Sequence, residues 1–488
     1  MILPVSARAE SPDARVIDTV VKDSLRAWEV PGAAVVIVSD DQVVYAQGFG
    51  VKVQGGKDPV TPDTIFALGS CSKAFTTTLM AMVVDDGKLA WDDPVRKHLN
   101  YFHLRDTVAD SAVTLRDLVT HRTGVGSHDF LWYRSPLSHE ERIRKLALLE
   151  PAYTFRSGFQ YQSTMFTAAG LAAESAAGDK WVDLVQKRVL DPLDMKHVKL
   201  TSVAATKTDD HATPHRRNER GSIEAIDWYE MKEPDPAGSV SASARDLGQW
   251  MRFHLNHGKM DGKQLVSAKN LDETHTPQNV IRMTPALEAM HPETSLMNYA
   301  MGWVVHDYRG QRVVAHAGLI DGFRVQITMV PEKKLGIAVL TNFQDARMTT
   351  AVSCTLVDVY LGLKRRNWDE YLLKVVKDEA DAQSARRKEK DKQRQPDVKP
   401  TRELPAYVGV YEDEAYGKME IKLQGNALVL KWNSYSPPLN HFKGDAFTVE
   451  LGSAGISDVE FKLAPKSREV VSFKFAEPVG REFKKVTP

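Results

Sequence analysis

Ser70 and Lys73 stand three residues apart in the stretch Phe66-Ala-Leu-Gly-Ser70-Cys-Ser-Lys73-Ala-Phe-Thr-Thr-Thr-Leu-Met80. A serine hydroxyl becomes a useful nucleophile when a base lies beside it. Residues Ala74–Val84 are apolar or small, with no Gly or Pro, which predicts a buried helix with Gly69 and Ser70 at its start. Positions three apart share one helix face, with Cβ atoms about 5–6 Å apart, so Lys73 would hang beside the Ser70 hydroxyl. The positive end of a helix and a buried setting both lower an amine's pKa, which suits a proton acceptor. The spacing alone is a weak signal, because roughly one or two Ser-x-x-Lys pairs arise by chance in a chain of this length. Cys71 points about 100° around the helix from Ser70 and reads as a small core residue.

Four other groups of residues invite a chemical reading. Tyr161-Gln-Ser163 lies in a turn before the apolar run Met165–Ala173, and by itself reads as a core aromatic beside a capping serine. His316-Ala-Gly318 is expected to end a strand over Arg312–Ala315, with Gly322 following. His211 and His215 have metal-ligand spacing, but Pro214 lies between them and no acidic partner follows in a helical frame, so no metal is expected. Gly48-Phe-Gly50 is not followed by a phosphate-binding helix, and no cofactor is expected.

The elements that must position these residues follow an α+β pattern. Residues 16–28 have helical apolar spacing, Pro31-Gly32 breaks it, and Ala33–Val38 with Val43–Gly48 reads as a strand pair. From Leu115 to about Leu190 the pattern is mostly helical, interrupted at His121–Trp132 and Tyr153–Gln160. After the loop Pro234–Gly238, Ser243–His257 is an amphipathic helix. Strands are predicted at Tyr299–Tyr308, Gln311–His316, Phe323–Val330 and Leu335–Thr341, then a closing helix at Ala351–Leu363. Strands at both ends with helices between predict one sheet assembled from the two termini of a domain, plus a helical region.

Residues 364–404 are a charged helix or linker, and 405–488 alternate in short strands with glycine turns, which predicts a small up-and-down barrel. Lys+Arg and Asp+Glu balance at 64 each, which argues against a nucleic-acid protein. No apolar run approaches the ~20 residues of a membrane span. Two cysteines are too few for a disulfide framework. Ala7-Arg8-Ala9 looks like the small-residue end of a secretory signal without its apolar core. On that basis residues 1–14 are expected to be a tail, and the protein periplasmic or secreted.

Taken in chain order, Ser-x-x-Lys on a helix, Tyr-x-polar in a turn and basic-x-Gly on a strand resemble the three-part site of the penicillin-recognising serine hydrolases. The resemblance is to the branch with class C β-lactamases, D-Ala-D-Ala carboxypeptidases, D-aminopeptidases and family VIII esterases. Val30-Pro-Gly32, Leu118-Val-Thr-His121-Arg-Thr-Gly124, Pro236-Ala-Gly238 with Ala244-x-Asp246-Leu247, and Tyr299-x-x-Gly302-Trp303 carry it further. It covers about residues 15–363 and implies a β-lactamase-like antiparallel sheet flanked by helices, plus an all-helical region. Residues 405–488 resemble the lipocalin-like domain attached to some members.

By position, the resemblance implies that Ser70 is the acylated nucleophile and Lys73 its base or proton relay. Tyr161 would be the second proton-transfer residue. The backbone N–H groups of Ser70 and Leu319 would form the oxyanion hole. His316 would orient the Tyr161 hydroxyl or bind a substrate carboxylate, and Gly318 would let the strand edge approach the substrate. Which of Lys73 and Tyr161 first takes the proton stays open, because they titrate as a pair. Two departures stand out: Ser163 replaces the family's usual Asn, and His316 its usual Lys. A neutral imidazole holds a carboxylate more weakly than an ammonium. Both changes favour a D-amino-acid peptidase or carboxypeptidase, or a carboxylesterase, acting on a small-molecule or short-peptide substrate, with at most weak β-lactamase activity. The alternatives are a class C-like β-lactamase, or a penicillin-binding sensor or pseudoenzyme that does not turn over.

Overall fold

The strand-forming runs at the two ends of the N-terminal region come together in one sheet. The structure, a computed structural model, describes residues 12–218, 220–231, 233–452 and 455–486. The Ala7-Arg8-Ala9 stretch lies outside the described residues. Two compact units are present. The first holds the described residues up to Tyr101, then Ser111–Gly124 and Tyr153–Lys377. The second holds Phe102–Asp110, Val125–Ala152 and the described residues from Asp378 onward.

In the first unit, eight strands form the sheet: β1 (Gly32–Ser39), β2 (Gln42–Gly50), β3 (Asn279–Val280), β4 (Met297–Tyr299), β5 (Val304–Tyr308), β6 (Gln311–Ile320), β7 (Phe323–Val330) and β8 (Leu335–Thr341). Their order is β2-β1-β8-β7-β6-β5-β4-β3, with antiparallel neighbours. β1 and β8 are Val/Ile-rich and buried on both faces, as central strands covered by helices must be. Helices α1 (Ala14–Ala27) and, later in the chain, α5 (Met348–Tyr360) cover one face around Val35, Ile37, Ile337 and Val339. The other face takes α4 (Ala244–Leu255). A Cβ on Gly248 of that helix would come within 3.1 Å of Val36, so the helix sits close against the sheet. Next comes α2 (Ser72–Asp85), whose Phe75 ring stacks on Trp250 of α4 with centroids 4.0 Å apart. Helix α3 (Ser163–Ala177) packs on α2.

Two strands differ from the sequence reading. The run Tyr299–Tyr308 is two strands, not one. Gly302 adopts φ +79°, and a Cβ there would lie 3.0 Å from the Lys73 carbonyl carbon. The chain breaks its pleat at Ala300–Trp303 to fit against α2. Strand β6 runs on to Ile320, so His316 is an internal strand residue paired with Ile327, not a strand end. The Gly at 318 does not stop the strand, because β7 supplies a ladder along its whole length.

The second unit contains a closed antiparallel barrel of eight strands: β9 (Gly409–Asp413), β10 (Gly417–Gln424), β11 (Ala427–Lys431), β12 (Pro438–Lys443), β13 (Ala446–Glu450), β14 (Ile456–Leu463), β15 (Val470–Phe475) and β16 (Arg481–Lys485). Each strand pairs with the next in sequence, and Tyr411 of β9 pairs with Lys485 of β16 to close it. This is the up-and-down barrel expected from the alternating pattern, and its interior is filled by Tyr411, Phe461, Phe473 and Phe483. The segment Val125–Ala152 packs with the barrel: the Tyr416 hydroxyl and His128 Nδ1 are hydrogen-bonded at 2.7 Å, and the Phe130 ring lies 5.0 Å from that of Trp432. Helix α6 (Trp368–Lys392) starts in the first unit and continues into the second. Among the described residues, no helix is long and apolar enough to cross a membrane.

The core of the first unit contains a histidine pair. His254 Nδ1 and His275 Nε2 are 3.0 Å apart beside Trp250 and Trp303. Burial holds His254 well below the usual histidine range and His275 down at about 3. In the unfolded chain both return to about 6.5. The unfolded state therefore binds more protons in the window between about pH 3 and 6.5. Stability from this pair is complete above that window and falls as the pH drops through it, by up to about 1.4 kcal/mol per pH unit for each histidine. Denaturant titrations at pH 7.5, 6 and 5 should show this decline. A flat profile would mean that the pair is charged or solvated.

Candidate active site

Ser70 lies in a short 3-10 turn, Gly69–Cys71, that leads directly into α2. Lys73 is one turn on, 1% exposed, and its Nζ donates to Ser70 Oγ at 3.2 Å. The helical spacing thus brings the two together as the sequence suggested. Nζ also donates to the Ala237 carbonyl at 3.0 Å and reaches Ser163 Oγ at 3.5 Å. Two aromatic faces also lie close, with the Tyr161 centroid at 4.8 Å and that of Phe166 at 5.5 Å. Ser70, Lys73, Tyr161 and Ser163 therefore form one cluster.

Tyr161 and Ser163 flank the start of α3. The N-cap is Gln162, whose side chain accepts from Thr164 N–H at 2.7 Å, and Ser163 is the first helical residue rather than the cap. The Tyr161 ring packs on buried His121, with centroids 4.3 Å apart. His121 adopts φ +55°, and its Nδ1 accepts from Gln162 N–H at 3.2 Å. Its ring also packs on Tyr299 and Phe166. Burial, with Lys73 nearby, holds this imidazole neutral. The two chain limbs that meet here are joined by Gln160 N–H to His121 O and Arg156 N–H to Arg122 O, each at 2.9 Å. Below them the buried Asp117 carboxylate accepts from Arg122 and Arg156, which hold it below the usual carboxylate range against the cost of burial.

His316 lies on the same side. Its Nδ1 donates to Ala317 O at 2.7 Å, which leaves Nε2 to accept from the Tyr299 hydroxyl at 3.1 Å. Burial, then Lys73, pushes its pKa down to about 3, while burial raises that of Tyr299 well above 10. The ring is therefore a neutral acceptor, which would hold a carboxylate more weakly than a cation, and its hydroxyl partner is Tyr299.

Gly318 backs onto the Leu68 carbonyl. A Cβ there would lie 1.8 Å from Leu68 O. A Cβ on Gly69, which has φ +50°, would lie 3.0 Å from Leu319 N. Both glycines serve the close approach of the β6 backbone to the turn that carries Ser70. Cys71 Sγ donates to His316 O at 3.4 Å across the same contact, and burial pushes this thiol up to about 12. It is a packing residue.

Sequence reasoning placed the loop Pro234–Gly238 but gave its Ala237 carbonyl no part in the site. Asp235 is buried and its Oδ1 accepts from Thr167 of α3 and from Ala237 N–H, each at 2.9 Å. Thr76 of α2 donates to Pro236 O at 2.7 Å. A Cβ on Gly170 would sit 2.4 Å from the Pro236 ring. The loop is thus clamped between α2 and α3 with the Ala237 carbonyl aimed at Lys73. The Pro-Ala-Gly motif marks the place, but a backbone acceptor has no side-chain signature. Of the two histidines with metal spacing, His211 bonds Thr208 O, and His215 bonds Asn342 O and Gln54 N–H.

Residues 17–351 match the family described as Beta-lactamase, and residues 393–485 match a domain of unknown function, DUF3471. An unguisins hydrolase of Aspergillus violaceofuscus is 26% identical over 487 aligned positions, spanning 91% of this chain and 85% of that protein. The protein flp of Staphylococcus aureus is 25% identical over 67% of this chain and 62% of its own length. In fold, the chain is similar to an octameric penicillin-binding protein homologue from Pyrococcus abyssi, with a TM-score of 0.63 at 21% identity, covering 97% of this chain and 100% of that one. It is also similar to SurE, with a TM-score of 0.59 at 20% identity over 97% and 98% of the two chains.

Proposed function

Because this chain belongs to the Beta-lactamase family, the penicillin-recognising serine hydrolases, we propose that it forms an acyl-enzyme on Ser70 and cleaves amide or ester bonds. The observation that carries this reading is the Lys73 ammonium held 3.2 Å from Ser70 Oγ with the Tyr161 ring against it.

In this mechanism Ser70 Oγ attacks the substrate carbonyl, and its proton passes to the Lys73 and Tyr161 pair. The ammonium form of Lys73 has no lone pair, so the pair accepts a proton only when one of its members is in its base form. Charge that develops on the carbonyl oxygen is met by the N–H groups of Ser70 and Leu319, whose chain segments the glycines at 69 and 318 bring together. The same proton then goes to the leaving amine or alcohol as its bond to the carbonyl breaks. Water hydrolyses the acyl-enzyme by the reverse proton path.

Neutral His316 offers no fixed positive charge at the third motif. Substrates that need no carboxylate anchor beside the scissile bond, namely peptide amides and carboxylic esters, fit better than β-lactams. D-amino-acid peptides and esters are the classes to test first. The Aspergillus relative, itself called a hydrolase, is in keeping with this class.

The test is active-site labelling. A fluorophosphonate and a fluorescent penicillin are each incubated with the protein, and the adduct is mapped by mass spectrometry. The expected result is a fluorophosphonate adduct on Ser70 that is absent in Ser70→Ala, with weaker penicillin labelling. Lack of any Ser70 adduct with either reagent would overturn the proposal. A penicillin adduct that persists, with no turnover of esters or peptides, would instead identify a penicillin-binding sensor.

A further inference from the structure

The first unit has a second cavity, on the sheet face opposite His316. Val313 lines it from β6, and residues three apart on a strand face opposite ways. The cavity lies between β5, β6, β7, the short helix Pro285–Met290, α5 and the start of α6. Its interior is small, about 50 Å³ to the centre of a water-sized molecule, and takes only a small ligand.

Its walls are mostly apolar, formed by Met290, Tyr308, Val313, Val357 and Trp368. The polar groups around it are largely matched within the protein. Tyr308 OH and Trp368 Nε1 both donate to Asp358, at 2.8 and 3.0 Å. Glu293 pairs with Arg366 at 2.9 Å and with Arg309 at 3.4 Å. His306 Nδ1 lies 3.1 Å from Asp307 O and 3.3 Å from Thr294 Oγ1. Burial keeps His291 and His306 uncharged and Cys354 a thiol. One group stands out. Ser353 is 3% exposed, lines the cavity, and its Oγ has no hydrogen-bond partner. A buried hydroxyl in an apolar wall is costly unless something bonds it.

We propose that this cavity is a binding site for a small, neutral, largely apolar molecule that brings one hydroxyl or carbonyl to Ser353. A charged ligand is excluded, because the ionised groups at the rim are already paired and the walls would desolvate it. The site is separate from Ser70 and does not depend on the hydrolase reading.

The test uses benzyl alcohol as the probe, with binding followed by ligand-observed NMR. Saturable binding is expected to wild type and equally to Ser70→Ala. Ser353→Ala should bind benzyl alcohol about tenfold more weakly, the effect of one lost hydrogen bond, while toluene binds both proteins alike. Methyl-labelled methionine gives a second readout that needs no change at Ser353. Benzyl alcohol should shift one methionine methyl signal, and that signal should be the one missing in Met290→Leu. Non-saturable binding, equal affinity for the Ser353→Ala variant, an unmoved Met290 signal, or loss of binding when Ser70 is acylated would each overturn the proposal.

Discussion

Lys73→Met is expected to lose about 10³–10⁴-fold in kcat/KM, as the removal of a general base in contact with its nucleophile requires. Methionine is chosen because it keeps the buried apolar stem and removes only the charged head. The contacts of the head include Ser70 Oγ, Ser163 Oγ and Ala237 O. The last leaves a buried carbonyl short of one donor, a cost of about 1–3 kcal/mol. Against this, the variant no longer desolvates an ammonium, so the melting temperature should change by only a few degrees in either direction. The decisive comparison is between turnover and the rate of Ser70 phosphonylation by a fluorophosphonate. Both should fall together, because both require the activated hydroxyl. Activity within about tenfold of wild type would remove Lys73 from the proton path.

Tyr161→Phe should lose about 10²–10⁴-fold, while Ser163→Ala should lose about tenfold or less. Phenylalanine keeps the ring that packs on His121 and under Lys73, so the loss reports the hydroxyl alone. Ser163 Oγ is at the edge of hydrogen-bond range from Lys73, at 3.5 Å, and Lys73 has two closer acceptors. Single-turnover measurements on an ester substrate separate acylation from deacylation. Equal small effects from the two substitutions would take Tyr161 out of the mechanism. The pH profile adds a check. Burial holds His316 down at about 3 and His121 well below the usual histidine range, so an inflection near neutral pH does not come from either imidazole. His316→Gln should therefore leave the position of that inflection unchanged.

The closeness of Ser70 and Lys73 was legible because their relation is local. Helical geometry alone places residue 73 beside residue 70, and an apolar run without Gly or Pro is enough to predict the helix. The strands of the sheet and barrel were legible for the same reason, since a period of two is written into each segment separately. The misread strand was the one whose course is decided elsewhere. Tyr299–Tyr308 has strand composition throughout, yet it breaks at Gly302 to pass α2. His316 looked like a strand end because Gly318 follows, and only pairing with β7 shows otherwise.

By itself the amino-acid sequence determined that Ser70 and Lys73 share a helix face, that Tyr161 precedes an apolar helix, and that a barrel follows a charged linker. Tertiary structure decided what these residues meet. The Lys73–Ala237 contact joins positions 164 apart in the chain, through a carbonyl that any residue could supply. The partner of His316 is Tyr299 rather than Tyr161, and a Cβ on Gly318 would meet Leu68 O. The charge state of His316 likewise follows from burial, which no residue type reveals. Local periodicity survives in a sequence because each turn or pleat enforces it, whereas backbone acceptors, close approaches and desolvation exist only once distant segments pack.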